Sequence, residues 1–335
     1  MEKLSYRDFK AMIMNPDVPD SEIAPYLKAL PEASGPFDPR VVPDPDKVEL
    51  TAEAQFDIQN AVKWGNTVSR WRRHQAFNNA IANGVRKPVL VSEGDSWFQF
   101  PLLIEDVVDH LDIDYLIWSL DAAGDTADDM INQNPEYMDN LQAQKRNHVK
   151  GYMFSGAGND ILGEDSNGNP VIWKLLKQHV AGKNAAWHVD MSALNSVLAH
   201  LETDYRKMVR TIRSDSDFRH LPIFIHGYDY AIPAGFPGDM RDPAWETPHD
   251  KWLGGPMRQK GIADPALQRD IMRVLVDHLY DMLESVAGHS ATTRIYLVNV
   301  RNTLHNGDWA DEIHGTSPGF GKVAAKFKNV IRQNI

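Results

Sequence analysis

The chain has 335 residues, 42% of them hydrophobic, a formal net charge of −11 at neutral pH and no cysteine. This is the composition of a folded globular protein. It excludes disulfides, thiol catalysis and cysteine-ligated metal centres, and the acidic balance argues against a general affinity for nucleic acid or anionic lipid.

The first residues lack the basic and then apolar layout of a secretory leader, and no apolar run reaches the roughly 20 residues that span a bilayer, so a cytosolic protein with no membrane span is expected. A short helix is predicted over Ser5–Met14, followed by a proline-rich, turn-rich stretch from Asn15 to Asp46 and a long helical segment from Thr51 to Asn83 that stops before Gly84. Within that segment, Arg70-Trp71-Arg72-Arg73-His74 reads as a solvated helix face, with an anion-binding patch as the alternative. Residues 1–85 are therefore expected to form a helical and extended appendage, and residues 86–335 the main domain.

Beyond residue 85 the pattern changes to alternation. Five short apolar, β-branched segments have the character of buried parallel strands: Pro88–Ser92, Tyr115–Ser119, Tyr152–Ser155, Pro222–His226 and Ile295–Val300. Helical periodicity separates them, most clearly over Ser192–Arg213 and Leu267–Val286, the latter stopped by Gly288. Alternating strands and helices predict a doubly wound α/β domain. An irregular insertion at 231–265, rich in Gly, Pro and Trp, reads either as a lid carrying Trp245 and Trp252 or as a segment packed on the body.

Open parallel sheets bind ligands at the carboxyl ends of their strands. The residues that follow the strands here are Gly94-Asp95-Ser96, Gly124-Asp125-Thr126, Gly156-Ala157-Gly158-Asn159-Asp160 and, after the fifth strand, Asp311-Glu312-Ile313-His314. Hydrolysis of an ester by a serine needs a hydroxyl, an imidazole base, an acid that orients it and donors for the oxyanion. Ser96, His314 and Asp311 can fill the first three roles, with Asp308 and Glu312 near enough to compete with Asp311. The backbone N–H groups of Ser96 and Gly124 and the side-chain amide of Asn159 can fill the fourth.

In these four blocks the sequence resembles the SGNH hydrolases, the GDSL esterase and lipase superfamily, over roughly residues 88–330. The entry Gly315-Thr316-Ser317-Pro318 into the last helix is similar as well. The resemblance implies a three-layer α/β/α flavodoxin-like fold with a five-stranded parallel sheet, and serine hydrolysis of a small-molecule, lipid or sugar ester without metal or cofactor. Two features depart from the family pattern. Ala157 stands where the family usually has glycine two residues before the asparagine, and Trp97 and Phe98 replace small or aliphatic residues, which implies a narrower or more aromatic entrance.

Other polar residues on the rim carry lesser expectations. Trp97, Asp95, His226 and Asp229 are candidate substrate-pocket residues, although a structural turn accounts equally well for the last two. Asp125, Asp128 and Asp129 read as an acidic helix start. Asp165-Ser166-Asn167-Gly168-Asn169 reads as a plain turn, since it lacks the glycine and glutamate of a calcium loop. The function expected is cleavage of carboxylic esters through an acyl-enzyme. The alternatives are a thioesterase, phospholipase or carbohydrate acetylesterase on the same site, or an inactive binding protein.

Overall fold

The computed structural model describes residues 3–30, 39–52, 55, 64–163, 170–245 and 252–335. Five wholly parallel strands form the central sheet: β1 (Val89–Gly94), β2 (Leu116–Ser119), β3 (Gly151–Ser155), β4 (Ile223–His226) and β5 (Ile295–Val298), in the order β2-β1-β3-β4-β5. Every residue of β1, β3 and β4 is buried, as strands covered on both faces must be. Registers such as Leu90 opposite Gly151 and Ile223 opposite Ile295 align the carboxyl ends of all five on one rim. Because β2 and β3 lie on opposite sides of β1, the crevice past the end of β1 is the topological switch point.

Helices cover both faces of the sheet in a three-layer α/β/α arrangement. The helices that frame the site and its amino-terminal support are, in chain order, α1 (Tyr6–Ile13), α2 (Trp64–Ala82), α3 (Val107–Asp112), α4 (Gly158–Leu162), α5 (Met191–Ser214), α6 (Pro265–Ala287) and α7 (Ser317–Arg332). Local chemistry sets their ends. Ser5 caps α1, Asp106 caps α3 in a reciprocal capping box with Asp109, and Asp190 caps α5. Thr316 caps α7, which opens on Pro318, and Gly288 ends α6 at φ 55°. The strands and the two long helices expected from periodicity thus form within a residue or two of their expected bounds. The first part of the segment expected to be helical over 51–83 lies largely outside the described residues, as does 165–169.

The amino-terminal region has its own small apolar cluster of Phe9, Ile13, Ile23, Leu27 and Val48, closed by Leu102 from the body. What fastens it to the sheet is the basic run at 70–74, and here the sequence reading requires correction. Arg72 and Arg73 are not solvated: their side chains are 7% and 15% exposed. Arg72 donates to the carbonyls of Ile13 and Asn15 and pairs with Asp20. Arg73 donates to the Phe98 carbonyl (2.7 Å) and reaches Asp106 (2.6 Å) and Asp109 (2.7 Å). His74 stacks flat on Trp118 at 3.8 Å and meets the Ser119 carbonyl. Every one of these partners is distant in sequence, so the run alone could not reveal them. Burial by itself would lower the Arg73 pKa, but the carboxylates of Asp106, Asp109 and Asp121 outweigh it and raise the guanidinium above its ordinary value.

Removing one partner of such a buried pair leaves the other uncompensated. Arg73→Met is expected to lower unfolding stability by about 3 kcal/mol or more. Urea denaturation measures this, and a change below about 1 kcal/mol would show that the pair is only ornamental to the fold.

Candidate functional site

Ser96 lies in a single turn that leaves the end of β1. Gly94 is required there, because a Cβ would stand 2.7 Å from the Ser155 Cβ and 2.8 Å from the Phe98 ring. Asp95 shapes the turn: its N–H donates to the Ser155 carbonyl, its Oδ1 accepts from the Trp97 N–H (3.1 Å), and its carbonyl accepts from the N–H groups of Phe98 and Gln99. Trp97 then turns inward and donates through Nε1 to the Ile313 carbonyl at 3.0 Å, tying the serine turn to the segment that carries His314.

In that segment His314 Nε2 lies 2.8 Å from Ser96 Oγ, and His314 Nδ1 lies 2.6 Å from Asp311 Oδ2. The second oxygen of Asp311 accepts from the backbone N–H groups of Ile313 (2.7 Å) and His314 (2.6 Å), and Oδ2 also accepts from Trp245 Nε1 (2.8 Å). Burial alone would raise the Asp311 carboxyl, but the adjoining His314 ring and these donors hold it below its ordinary value. An ionised Asp311 fixes the imidazole with its proton on Nδ1, which leaves Nε2 to accept from the Ser96 hydroxyl.

Two further loops meet the serine turn. The Ala122 N–H donates to the Gly94 carbonyl, and Gly124 turns at φ 94°, a conformation that excludes most side chains. Asn159, at the start of α4, donates one amide hydrogen to the Asp125 carbonyl (2.7 Å), which ties the Gly124 loop to the Asn159 turn and leaves the second amide hydrogen for another acceptor. Asp160 accepts from the Ala127 N–H (3.0 Å). Thr126 and Asp129 exchange side-chain to backbone bonds at the turn that follows, so of the acids expected to start a helix Asp129 takes part in the cap, while Asp128 accepts from the side-chain amides of Asn132 and Gln133. From α2, Asn66 pairs with both the N–H (3.0 Å) and the carbonyl (2.8 Å) of Ala123 while Gln99 donates to it (3.1 Å). The amino-terminal region therefore holds two of the loops that meet at Ser96. Asn66 has no local signal in the sequence that would have singled it out, and Trp245, which stands out there only as an aromatic of the insertion, has none that points to Asp311.

The candidate pocket residues fare differently. Trp97 and Asp229 border a narrow apolar cleft of about 30 Å³ whose walls include Ile161, Leu162, Met272 and Leu275. Asp229 offers the cleft no free oxygen, because its carboxylate accepts from the N–H groups of Tyr230, Asn302, Thr303 and Leu304. Asp95 and His226 do not border the cleft. Both are fully buried in a chain that runs from His226 Nε2 through Ser155 Oγ (2.8 Å) to Asp95 (3.0 Å), with Tyr228 on the other Asp95 oxygen and the Gly158 N–H on Tyr228. Burial lowers His226 to about 3 and keeps it neutral; burial likewise raises Asp95 to about 6, against the pull of its hydrogen-bond donors. Phe98 stacks on His226 and so lies in the core, not at an entrance.

The insertion packs on the body in its described part. Trp252 is 3% exposed, and Glu312, buried beside Asp311, accepts from the N–H groups of Ala234, Trp252, Leu253 and Gly254 at 2.7 to 2.9 Å. Arg241 adds a bond to the Asp311 carbonyl (2.6 Å). Trp245 and His314 both pack against the Phe100 ring, at centroid distances of 4.9 and 4.8 Å. Ser96 and His314 are themselves fully buried in this conformation.

No protein-family model matches the chain, and no curated protein matches it. Among solved structures it is similar to a protein of Slackia heliotrinireducens provisionally described as an SGNH hydrolase, at 9% identity and a TM-score of 0.41, covering 73% of this chain and 100% of that one. It is also similar to a protein of Arabidopsis thaliana, at 10% identity and a TM-score of 0.36, covering 70% of this chain and 67% of the other. A third, from Bacillus subtilis, has 11% identity and a TM-score of 0.33, and the match covers 74% of this chain and 57% of that one.

Ala157 occupies φ 101°, ψ −23°, a left-handed conformation that strains an L-residue with a side chain. Ala157→Gly is expected to stabilise the protein by about 1 kcal/mol, read as a raised Tm. An unchanged or lowered Tm would mean that the alanine is unstrained there.

Proposed function

We propose that the protein is a serine hydrolase that cleaves carboxylic esters through an acyl-enzyme. The observation that carries this reading is the line from Ser96 Oγ to His314 Nε2 to Asp311, with both hydrogen bonds short and the carboxylate saturated by donors. His314 takes the Ser96 proton as Oγ forms a bond to the ester carbonyl carbon. The imidazolium then returns that proton to the departing alcohol. Water attacks the acyl-enzyme in the second half, again losing its proton to His314 Nε2 and restoring the free serine.

The oxyanion of each tetrahedral intermediate is assigned to the N–H groups of Ser96 and Gly124 and to the amide hydrogen of Asn159 that Asp125 does not take. Trp245 is a positioning residue, acting through Asp311. The resemblance of the four sequence blocks to the SGNH hydrolases supports the same assignment. The apolar cleft beside Trp97, Gly158 and Ile313 favours an acyl or alkyl chain over a sugar as the bulky part of the ester. Because Ser96 is buried, admission of substrate requires the surrounding side chains to part.

A fluorophosphonate probe tests the reading directly. It is expected to label the wild type at Ser96 and to fail on Ser96→Ala; no labelling of a folded wild type would favour the inactive binding protein. Once a turnover substrate is found, Asn159→Ala is expected to lower kcat by on the order of 100- to 1000-fold with the fold intact, and a loss under tenfold would remove Asn159 from the oxyanion site. Trp245→Phe keeps the ring against Phe100 and removes only the N–H. It is expected to lower kcat by about three- to tenfold at unchanged KM, whereas a rise in KM alone would assign Trp245 to substrate binding.

A further inference from the structure

A second cleft opens at the opposite end of the sheet, where β4 and β5 begin, and five of its eleven lining residues are arginines. Arg206, Arg210 and Arg213 stand one below another on one face of α5, at spacings of four and three. Arg219 and His220 enter from the turn before β4, and Arg294 from the residue before β5. In a chain with a net charge of −11 this concentration of positive charge is no by-product of composition.

The charges are also uncompensated. Arg206 is paired with Glu202 at 2.7 Å, but among the described residues Arg210, Arg213, Arg219 and Arg294 form no ion pair. Arg213 spends its donors on four carbonyls, those of Phe218, Leu221, Thr293 and Arg294. Burial, and after it the neighbouring Arg294 charge, lower its pKa. Arg294 is held in a left-handed conformation, φ 54° and ψ 32°, and its Nε is buried with no hydrogen-bond partner. A buried, unsatisfied donor on a charged group is costly and calls for an acceptor that the chain does not supply.

We propose that this cleft binds a small soluble ligand carrying a di- or triphosphate group. Guanidinium groups recognise phosphate oxygens through paired hydrogen bonds. Three guanidiniums with neither a carboxylate partner nor a full set of carbonyl acceptors, Arg210, Arg219 and Arg294, call for more than the roughly two negative charges of one phosphate monoester. The cleft, about 520 Å³, exceeds a bare anion, and Val209, Val286 and Ile295 in its wall give an organic moiety an apolar surface. The site lies at the amino ends of the strands, away from Ser96, and stands whether or not the protein is an esterase.

The test is calorimetric titration of the full chain with inorganic pyrophosphate and with ATP at about 0.15 M salt. Both probes are expected to bind with a Kd of about 100 µM or tighter, and Arg210→Ala/Arg219→Ala to weaken both by tenfold or more at an unchanged Tm. These two arginines are exposed, so their loss leaves the fold in place. Lys47→Ala, which removes an exposed charge of the amino-terminal region, is expected to change nothing. The proposal is overturned if neither probe binds below millimolar concentration, if the double variant binds as the wild type does, or if Lys47→Ala weakens binding equally. Binding to phosphatidylinositol-bisphosphate vesicles without binding to free pyrophosphate would also overturn it, because the phosphate would then come from a lipid headgroup.

Discussion

Two segments separated by 218 positions must meet within the length of one hydrogen bond for His314 to reach Ser96, and the Asp311 carboxylate holds that meeting in place. It accepts from the imidazole, from two backbone N–H groups of its own turn and from the Trp245 indole, so the carboxylate and the ring it orients have one geometry available. The adjacent Glu312 does the complementary work. It gathers four backbone N–H groups from both ends of the insertion and so fixes the element that carries Trp245. A buried carboxylate without such donors would be protonated or would destabilise the fold. Here burial raises Glu312 while those four donors hold it down.

The same logic explains what surrounds the serine turn. Arg73 holds the Phe98 carbonyl, and its partner Asp106 accepts from the Phe100 N–H, so the chain just beyond Ser96 is anchored to α2. Asn66, also on α2, braces Ala123 and Gln99. The amino-terminal region is in this sense continuous with the site, because elements of it set where the Gly124 loop and the serine turn lie. Rigid support of this kind is what electrostatic stabilisation of an oxyanion demands, since donors that must reorganise during reaction lose most of their effect.

Much of the architecture was legible in the sequence because it rests on local signals. Apolar runs such as Val89-Leu90-Val91 marked fully buried strands, three- and four-residue spacing marked α5 and α6, and glycines at 94 and 124 marked turns that side chains cannot make. Asp311 was favoured in the sequence by its spacing from His314, with Asp308 as a competitor, and the coordinates turn Asp308 away to Lys322 and to the His305 N–H. What was not legible depends on partners far along the chain. A run of basic residues has the same appearance whether it faces water or, as with Arg72 and Arg73, a set of carbonyls and carboxylates contributed by other segments. Asp229 and His226 stood at the right edge of the right strand, yet one braces a loop and the other lies stacked in the core. The spacing of Arg206, Arg210 and Arg213 is visible in the sequence, but their convergence with Arg219 and Arg294 exists only once β4 and β5 lie side by side.

In the proposed reaction Ser96, activated by His314, is the nucleophile. The most direct measurement is hydrolysis of p-nitrophenyl esters from acetate to palmitate by the wild type and by Ser96→Ala, both shown to be folded. Turnover by the wild type and a loss on the order of a thousandfold or more in the variant is the predicted result. Equal activity of the two proteins would contradict the account and place the chemistry elsewhere.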